Sequence, residues 1–170
     1  YFYMPVFESA AMIPPQTRRE ALTEVRAQLD TVSGSILNIR VGGNDLSHAF
    51  GLRRPANRTI YDLRPVADIL IDIVAAFGTQ YVVSGPVWEY YSGEGWEEGL
   101  RREMELDLLN GFTGKTVIHP NQIPVVNEML RVSQRDYADA RAILNWDTGS
   151  GSLVSASEDG GRMNEYNTHS

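Results

Sequence analysis

Short runs of β-branched and aromatic residues alternate along the chain with longer stretches in which apolar residues recur every three or four positions. That alternation predicts βα units feeding a parallel sheet. Four units are readable. A strand over residues 2–7 ends at Glu8-Ser9. After Pro14-Pro15, Thr17 caps a helix to about residue 29, with Ala21, Val25 and Leu29 on one stripe. A second strand, residues 36–41, runs into Gly42-Gly43-Asn44-Asp45 and a segment reaching Phe50. A helix opening near Pro65 and stopping at Gly78 carries Val66, Ile69, Leu70, Ile73 and Val74 on the face that should meet the sheet. The third strand, residues 81–83, stops at Ser84-Gly85-Pro86. A Trp/Tyr-rich loop and a charged helix over 96–109 follow it. The fourth strand, residues 116–118, ends at His119-Pro120 and leads to a helix over 121–130. Ser133 then caps a further helix to about residue 146, with Asp136 as its capping-box partner. Residues 1–147 are expected to form the βα body. Residues 148–170 read as a Gly/Ser linker and a polar tail turning at Gly160-Gly161.

Composition narrows the class of partner. With 170 residues, 42% hydrophobic and 22% charged, the chain has the make-up of a folded globular domain. Its net charge of −7 argues against nucleic acid and anionic membrane surfaces. No run approaches the roughly 18 apolar residues of a membrane span. The absence of cysteine removes disulfides, zinc thiolates, iron–sulfur clusters and thiol catalysis, and favours the cytosol. The opening run Tyr1-Phe2-Tyr3-Met4-Pro5-Val6-Phe7 has no initiating Met and begins directly as a strand, which reads as a fragment of a longer protein.

In parallel βα architectures ligands bind beyond the carboxyl ends of the strands. The residues expected there are Glu8 and Ser9, Gly42 to Asp45, Ser84 to Trp88, and the stretch from Lys115 through the fourth strand to His119, with Asn121. Glu8 and Asp45, from neighbouring strands, form a pair suited to a hard, oxygen-seeking cation such as Mg²⁺, since no cysteine and no histidine cluster accompanies them. An alternative stands beside this: Glu8 paired with an arginine, and Asp45 capping the segment 46–50. Other features carry less. Gly111-Phe112-Thr113-Gly114-Lys115-Thr116 looks like a phosphate loop, but Leu109 stands where a glycine is needed and the segment precedes a strand, against an open-sheet nucleotide binder. Lys115, the single lysine, is expected at the rim opposite the site in a structural role, and His119 is expected to orient its loop. Trp88, Tyr90 and Tyr91 suit a pocket or an oligomer contact, with packing the commoner role of such a cluster.

Three segments in order, Met4-Pro5-Val6-Phe7-Glu8-Ser9, Val41-Gly42-Gly43-Asn44-Asp45-Leu46 and Gly111 to Ile123 (Gly-Phe-Thr-Gly-Lys-Thr-Val-Ile-His-Pro-Asn-Gln-Ile), resemble the HpcH/HpaI aldolase and citrate lyase β-subunit superfamily. The resemblance extends over about residues 3–144 and points to the branch of C–C bond lyases associated with tellurium-resistance and stress gene clusters. It implies a (β/α)₈ TIM barrel of which this chain supplies about the second half, strands five to eight; a full barrel takes about 250 residues. Half a barrel is expected to leave open strand edges and to associate, misfold or be inactive alone.

The resemblance further implies metal ligation by Glu8 and Asp45. Mg²⁺, with Mn²⁺ as its substitute, would act on a small 2-oxo acid or acyl substrate, including acyl-CoA, through a metal-stabilised enolate. Gly43, Asn44, Ser84, Pro86 and Trp88 are the expected substrate-binding positions. Glu165, with His169, is a candidate for reaching a neighbouring subunit's site in a homo-oligomer of the full-length form. Two positions depart from the pattern. Asn44 replaces the glutamate of Gly-x-Glu-Asp, and Ser84 stands where many members carry Asp. Those changes motivate a second reading, a non-catalytic metal- or ligand-binding scaffold of the same fold in a stress-response system. The family's carboxylate-gripping arginine belongs to the first half of the barrel.

Overall fold

The structure is a computed structural model that describes residues 1–146, 154–157 and 160–165. It divides into two compact units, Tyr1–Leu130 and Arg131–Ser170. The division falls ahead of the helix that Ser133 caps, whereas the sequence pattern placed it after residue 147.

Four parallel strands, β1 (Val6–Phe7), β2 (Ile39–Val41), β3 (Val83–Gly85) and β4 (Gly114–Lys115), lie side by side in chain order within the first unit. Register pairs Val6 with Arg40, Arg40 with Ser84, and Ser84 with Gly114. This is an α/β arc of TIM-barrel type, four successive βα units in one parallel sheet. The helices are α1 (Pro15–Asp30), α2 (Gly43–Ala49), α3 (Arg64–Phe77), α4 (Trp96–Leu109) and α5 (Gln122–Met129). Among the described residues no helix is long and apolar enough to cross a membrane.

Alternation along each strand decides where the core lies. Phe7, Ile39, Val41 and Val83 face the helical layer and are buried with Val66, Ile69, Leu70, Ile73 and Phe77 of α3 and Leu22 of α1. Burying side chains of this size contributes roughly 1.5–3 kcal/mol each, so this layer is the main source of the unit's stability. A second cluster joins Trp88 to Leu100 and Met104 of α4 and Val125 and Val126 of α5. The other face of the sheet carries Val6, Arg40, Ser84 and Gly114 in one row, and Val6 there is 42% exposed.

Helix α4 spans the residues its pattern predicts, and α3 does so within a residue of its predicted start. Two strands do not. The third pairs at Val83–Gly85 rather than residues 81–83, and the fourth at Gly114–Lys115 rather than 116–118. Both shifts run toward glycine. A Cβ on Gly85 would stand 2.5 Å from a carboxylate oxygen of Asp107, and one on Gly114 would stand 2.8 Å from Ser84 Oγ. The ladder forms where neighbours approach closely enough to need glycine, so β propensity alone points to the wrong residues. Helix α1 begins at Pro15, and Thr17 lies inside it with its hydroxyl donating to the carbonyls of Ala11 and Pro14.

In the second unit, α6 (Gln134–Leu144) is capped by Ser133, whose Oγ accepts from the Asp136 N–H at 3.0 Å. β5 (Val154–Ala156) and β6 (Met163–Glu165) form an antiparallel hairpin that turns through Gly160 in the left-handed region, at φ 69°. The predicted linker at 148–152 and His169 lie outside the described residues. Glu165 belongs to β6.

Candidate metal site

Glu8 is the first residue beyond β1. One step past the last register pair, Phe7 with Val41, it stands beside Gly42 on the same face of the sheet. Gly42 is the N-cap of α2, and Asp45 lies in the first turn of that helix, where its negative charge suits the helix N-terminus. The two carboxylates converge over the bare Cα of Gly42: a Cβ built there would lie 2.7 Å from Glu8 Oε2, 3.4 Å from Asp45 Oδ2 and 2.4 Å from Glu8 Cβ. Glycine is therefore required because any side chain would fill the gap between the acids.

Both side chains are exposed, and among the described residues neither has a hydrogen-bond or ion-pair partner. The alternative offered by the sequence, Glu8 held by an arginine and Asp45 acting as a cap, does not describe this geometry; the N-cap of α2 receives no side-chain cap bond. Two unpaired carboxylates around an open point fit a hard divalent cation whose remaining ligands are water and substrate oxygens. Among the described residues no group of three His, Cys, Asp or Glu side chains joins them.

The five positions assigned to substrate play different parts. Gly43 is buried, and a Cβ on it would stand 2.6 Å from both Ile60 Cδ1 and Pro86 Cβ. Gly43 and Pro86 thus pack against each other as the support of α2. Asn44 Oδ1 accepts from Arg54 Nη1 at 3.2 Å, which holds the first turn of α2. Ser84 is buried on the inner face, its Oγ accepting from Asn38 Nδ2 at 2.8 Å. Trp88 corrects the expectation most clearly. Its ring is fully buried in the second cluster, its Nε1–H donates to the Trp96 carbonyl at 3.0 Å, and the Arg54 guanidinium lies 5.2 Å from its ring centre. The Trp88 ring is closed off from solvent and is packing, whereas Tyr91 of the same loop is exposed.

Two residues escaped the sequence reading. Gln122 is buried and clamps two loops, accepting from the Ile118 N–H and donating to the carbonyls of Trp88 and Tyr90. His119 stacks on Tyr91 at 4.2 Å and its Nδ1 accepts from the Asn121 N–H, the loop-orienting role expected of it. Arg54 is the second. It sits fully buried between Glu103, Asn44 and the Val87 carbonyl.

Glu103 joins Arg54 to Lys115. It accepts from the Ile60 N–H at 2.8 Å and from Lys115 Nζ at 2.8 Å, and lies 3.0 Å from Arg54 Nε. Lys115 Nζ also donates to Asp107 at 2.7 Å, and the Tyr61 hydroxyl donates to the other oxygen of Asp107 at 2.7 Å. Lys115 is thus inside β4, directed at α4, and fully buried rather than at the opposite rim. Burial opposes its charge, but Glu103 and Asp107 outweigh burial and hold its pKa above the ordinary 10.5. On Asp107 burial dominates and raises the pKa, the lysine offsetting part of the rise. Burial and the Asp107 charge push the Tyr61 hydroxyl far upward. A lysine kept protonated at neutral pH by two carboxylates is no Schiff-base nucleophile.

Comparison with known proteins identifies the family. A family model described as a C–C bond lyase of the TIM-barrel fold matches residues 1–170. An L-malyl-CoA/β-methylmalyl-CoA lyase from a strain of Cereibacter sphaeroides is 38% identical over 74 residues, 42% of this chain and 22% of that protein. The same enzyme from another strain is 36% identical over 74 residues. The crystal structure of Mycobacterium tuberculosis CitE, in complex with magnesium, acetoacetate and coenzyme A, superposes with a TM-score of 0.52 at 28% identity, covering 77% of this chain and 47% of that one. The chain thus spans about a fifth of the length of the curated relatives and about half that of the solved structure.

Proposed function

Because the chain belongs to the C–C bond lyases of the TIM-barrel fold, we propose that it takes part in breaking or forming a carbon–carbon bond in a small 2-oxo acid or acyl substrate, assisted by a divalent cation. The observation that carries this reading is the convergence of Glu8 and Asp45, both without a partner among the described residues, on the open side of Gly42. A coenzyme A thioester is the acyl form that the named relatives support. Mg²⁺ is the cation that the solved relative and the all-oxygen donor pair support.

Glu8 and Asp45 would hold the cation. When bound, it supplies the positive charge that favours negative charge developing on a substrate carbonyl oxygen as the bond breaks. This chain's own residues do the positioning. Gly42 leaves the gap in which the acids meet, Arg54 fixes the first turn of α2 through Asn44, and Gln122 ties the loops after β3 and β4 together.

The test is titration of Mg²⁺, with Mn²⁺ as a spectroscopic substitute, into the wild type and into Glu8→Gln and Asp45→Asn. Each substitution is expected to weaken binding more than tenfold, a loss of at least about 1.4 kcal/mol. Equal affinity in all three proteins overturns the reading. Solvent deuterium entering pyruvate would mark enolisation. Cation binding with no exchange would instead describe a non-catalytic scaffold of the same fold.

A further inference from the structure

Arginines withdrawn from solvent in this unit face carboxylates: Arg18 meets Asp72, Arg26 meets Asp30, Arg54 meets Glu103, and Arg101 meets Glu97 and Glu128. Arg40 breaks the rule. It is half-buried, and among the described residues it pairs with no acid. Its backbone neighbours Ile39 and Val41 face the helical layer, which places Arg40 on the inner face in the row Val6, Arg40, Ser84, Gly114. The side chain does not stay in its own row. Nε donates to Thr116 Oγ1 at 3.3 Å, and Thr116 is two residues beyond Gly114. The arm therefore climbs past two small residues, Ser84 and Gly114, to the level at which Glu8, Gly42 and Pro86 leave their strands.

A half-buried guanidinium with no acid beside it among the described residues keeps its planar fork free for a carboxylate. We propose that Arg40 is a specificity-determining residue that binds a carboxylate group of the substrate at the level of the Glu8 and Asp45 pair. Glu8 and Asp45 gather positive charge, and Arg40 gathers negative charge across the same inner face. Thr116 takes the Nε–H and steadies the arm, leaving the terminal nitrogens to the ligand. The inference rests on the cation reading for the class of substrate, and its charge logic is tested separately.

The experiment measures binding of pyruvate and of its uncharged amide, pyruvamide, to Mg²⁺-loaded wild type, Arg40→Lys and Arg40→Met by calorimetry, with circular dichroism melts confirming folding. Removing a charge-assisted hydrogen bond to a carboxylate is expected to weaken pyruvate about thirtyfold in Arg40→Met, with pyruvamide and Mg²⁺ affinities within about twofold of wild type. Arg40→Lys keeps the charge and loses the fork, so an intermediate loss is expected, and it decides the matter if Arg40→Met does not fold. Pyruvate and pyruvamide weakening together, or neither changing, overturns the proposal. Unchanged Mg²⁺ affinity in Glu8→Gln and Asp45→Asn overturns the cation reading instead. The two failures are thus told apart, because oxalate binding to chelator-treated wild type and Arg40→Met reports on the guanidinium without the cation.

Discussion

Two groups of charged residues lie within the same βα body and follow opposite rules. Under β4, Arg54, Lys115, Glu103 and Asp107 are buried, and each lies within 3.0 Å of an oppositely charged neighbour. Beyond β1 and β2, Glu8 and Asp45 are exposed, close together and unpaired among the described residues. Desolvation explains the first group: charges taken out of water persist only when each finds partners and hydrogen bonds. It cannot explain the second, where like charges approach although water could separate them. The closed group holds the fold together, and the open one is shaped for something the chain itself does not supply.

The contrast breaks most violently at Lys115. Removing one member of a buried ionic group strands the others, which costs about 3–5 kcal/mol. Lys115→Met is expected to lose that much stability in urea unfolding, since Glu103 and Asp107 would both face an apolar side chain. A loss below about 1 kcal/mol would mean that water reaches the group. The pH dependence has a definite sign. Lys115 has a folded pKa above 10.5, so its contribution is complete below about pH 10.5 and disappears as the pH rises through the folded value. Lys115→Met should therefore flatten the alkaline limb of the stability profile.

The open group was legible in the sequence and the closed one was not, for a physical reason. Glu8 directly follows β1 and Asp45 lies in the first turn of the helix after β2, so a parallel βα reading places them at one rim without knowledge of any long-range contact. The partners of the closed group are far apart along the chain, and nothing local pairs Arg54 with Glu103. One signal existed. Leu100, Glu103, Met104 and Asp107 follow at three- and four-residue spacing, so two acids share the apolar stripe of α4, where solvated charges do not belong. Trp88 misled for the converse reason: an aromatic residue in a loop resembles a binding wall until the second cluster closes over it. Strand boundaries slipped at Gly85 and Gly114 because close approach, not β propensity, sets the ladder there.

Gly42→Ala sharpens the comparison at intermediate cost. The backbone conformation at Gly42, φ −81°, is open to alanine, so the obstacle is the new methyl group itself, placed 2.4 Å from Glu8 Cβ. Glu8 must move away from Asp45. Mg²⁺ affinity is expected to fall more than tenfold, while urea unfolding shows a cost of about 1–3 kcal/mol for the local overpacking. Gly34→Ala is the control, since nothing lies within 4 Å of its Cβ position; it should leave cation binding untouched. Equal cation affinity in Gly42→Ala and the wild type would show that convergence over Gly42 is incidental.

The smallest effect separates the two groups by sign. In cation-free protein, Glu8→Gln deletes a charge that has no partner among the described residues and sits beside another of the same sign. Stability should hold within about 0.5 kcal/mol, with any change being a gain, because only repulsion is removed. Added salt should shrink that gain by screening the wild-type repulsion, whereas the buried group under β4 responds little to salt. Adding Mg²⁺ should reverse the order, stabilising the wild type by mass action and leaving Glu8→Gln nearly unchanged. A clear loss of stability in the cation-free substitution would show that Glu8 already has an internal partner, and would make the open group structural like the closed one.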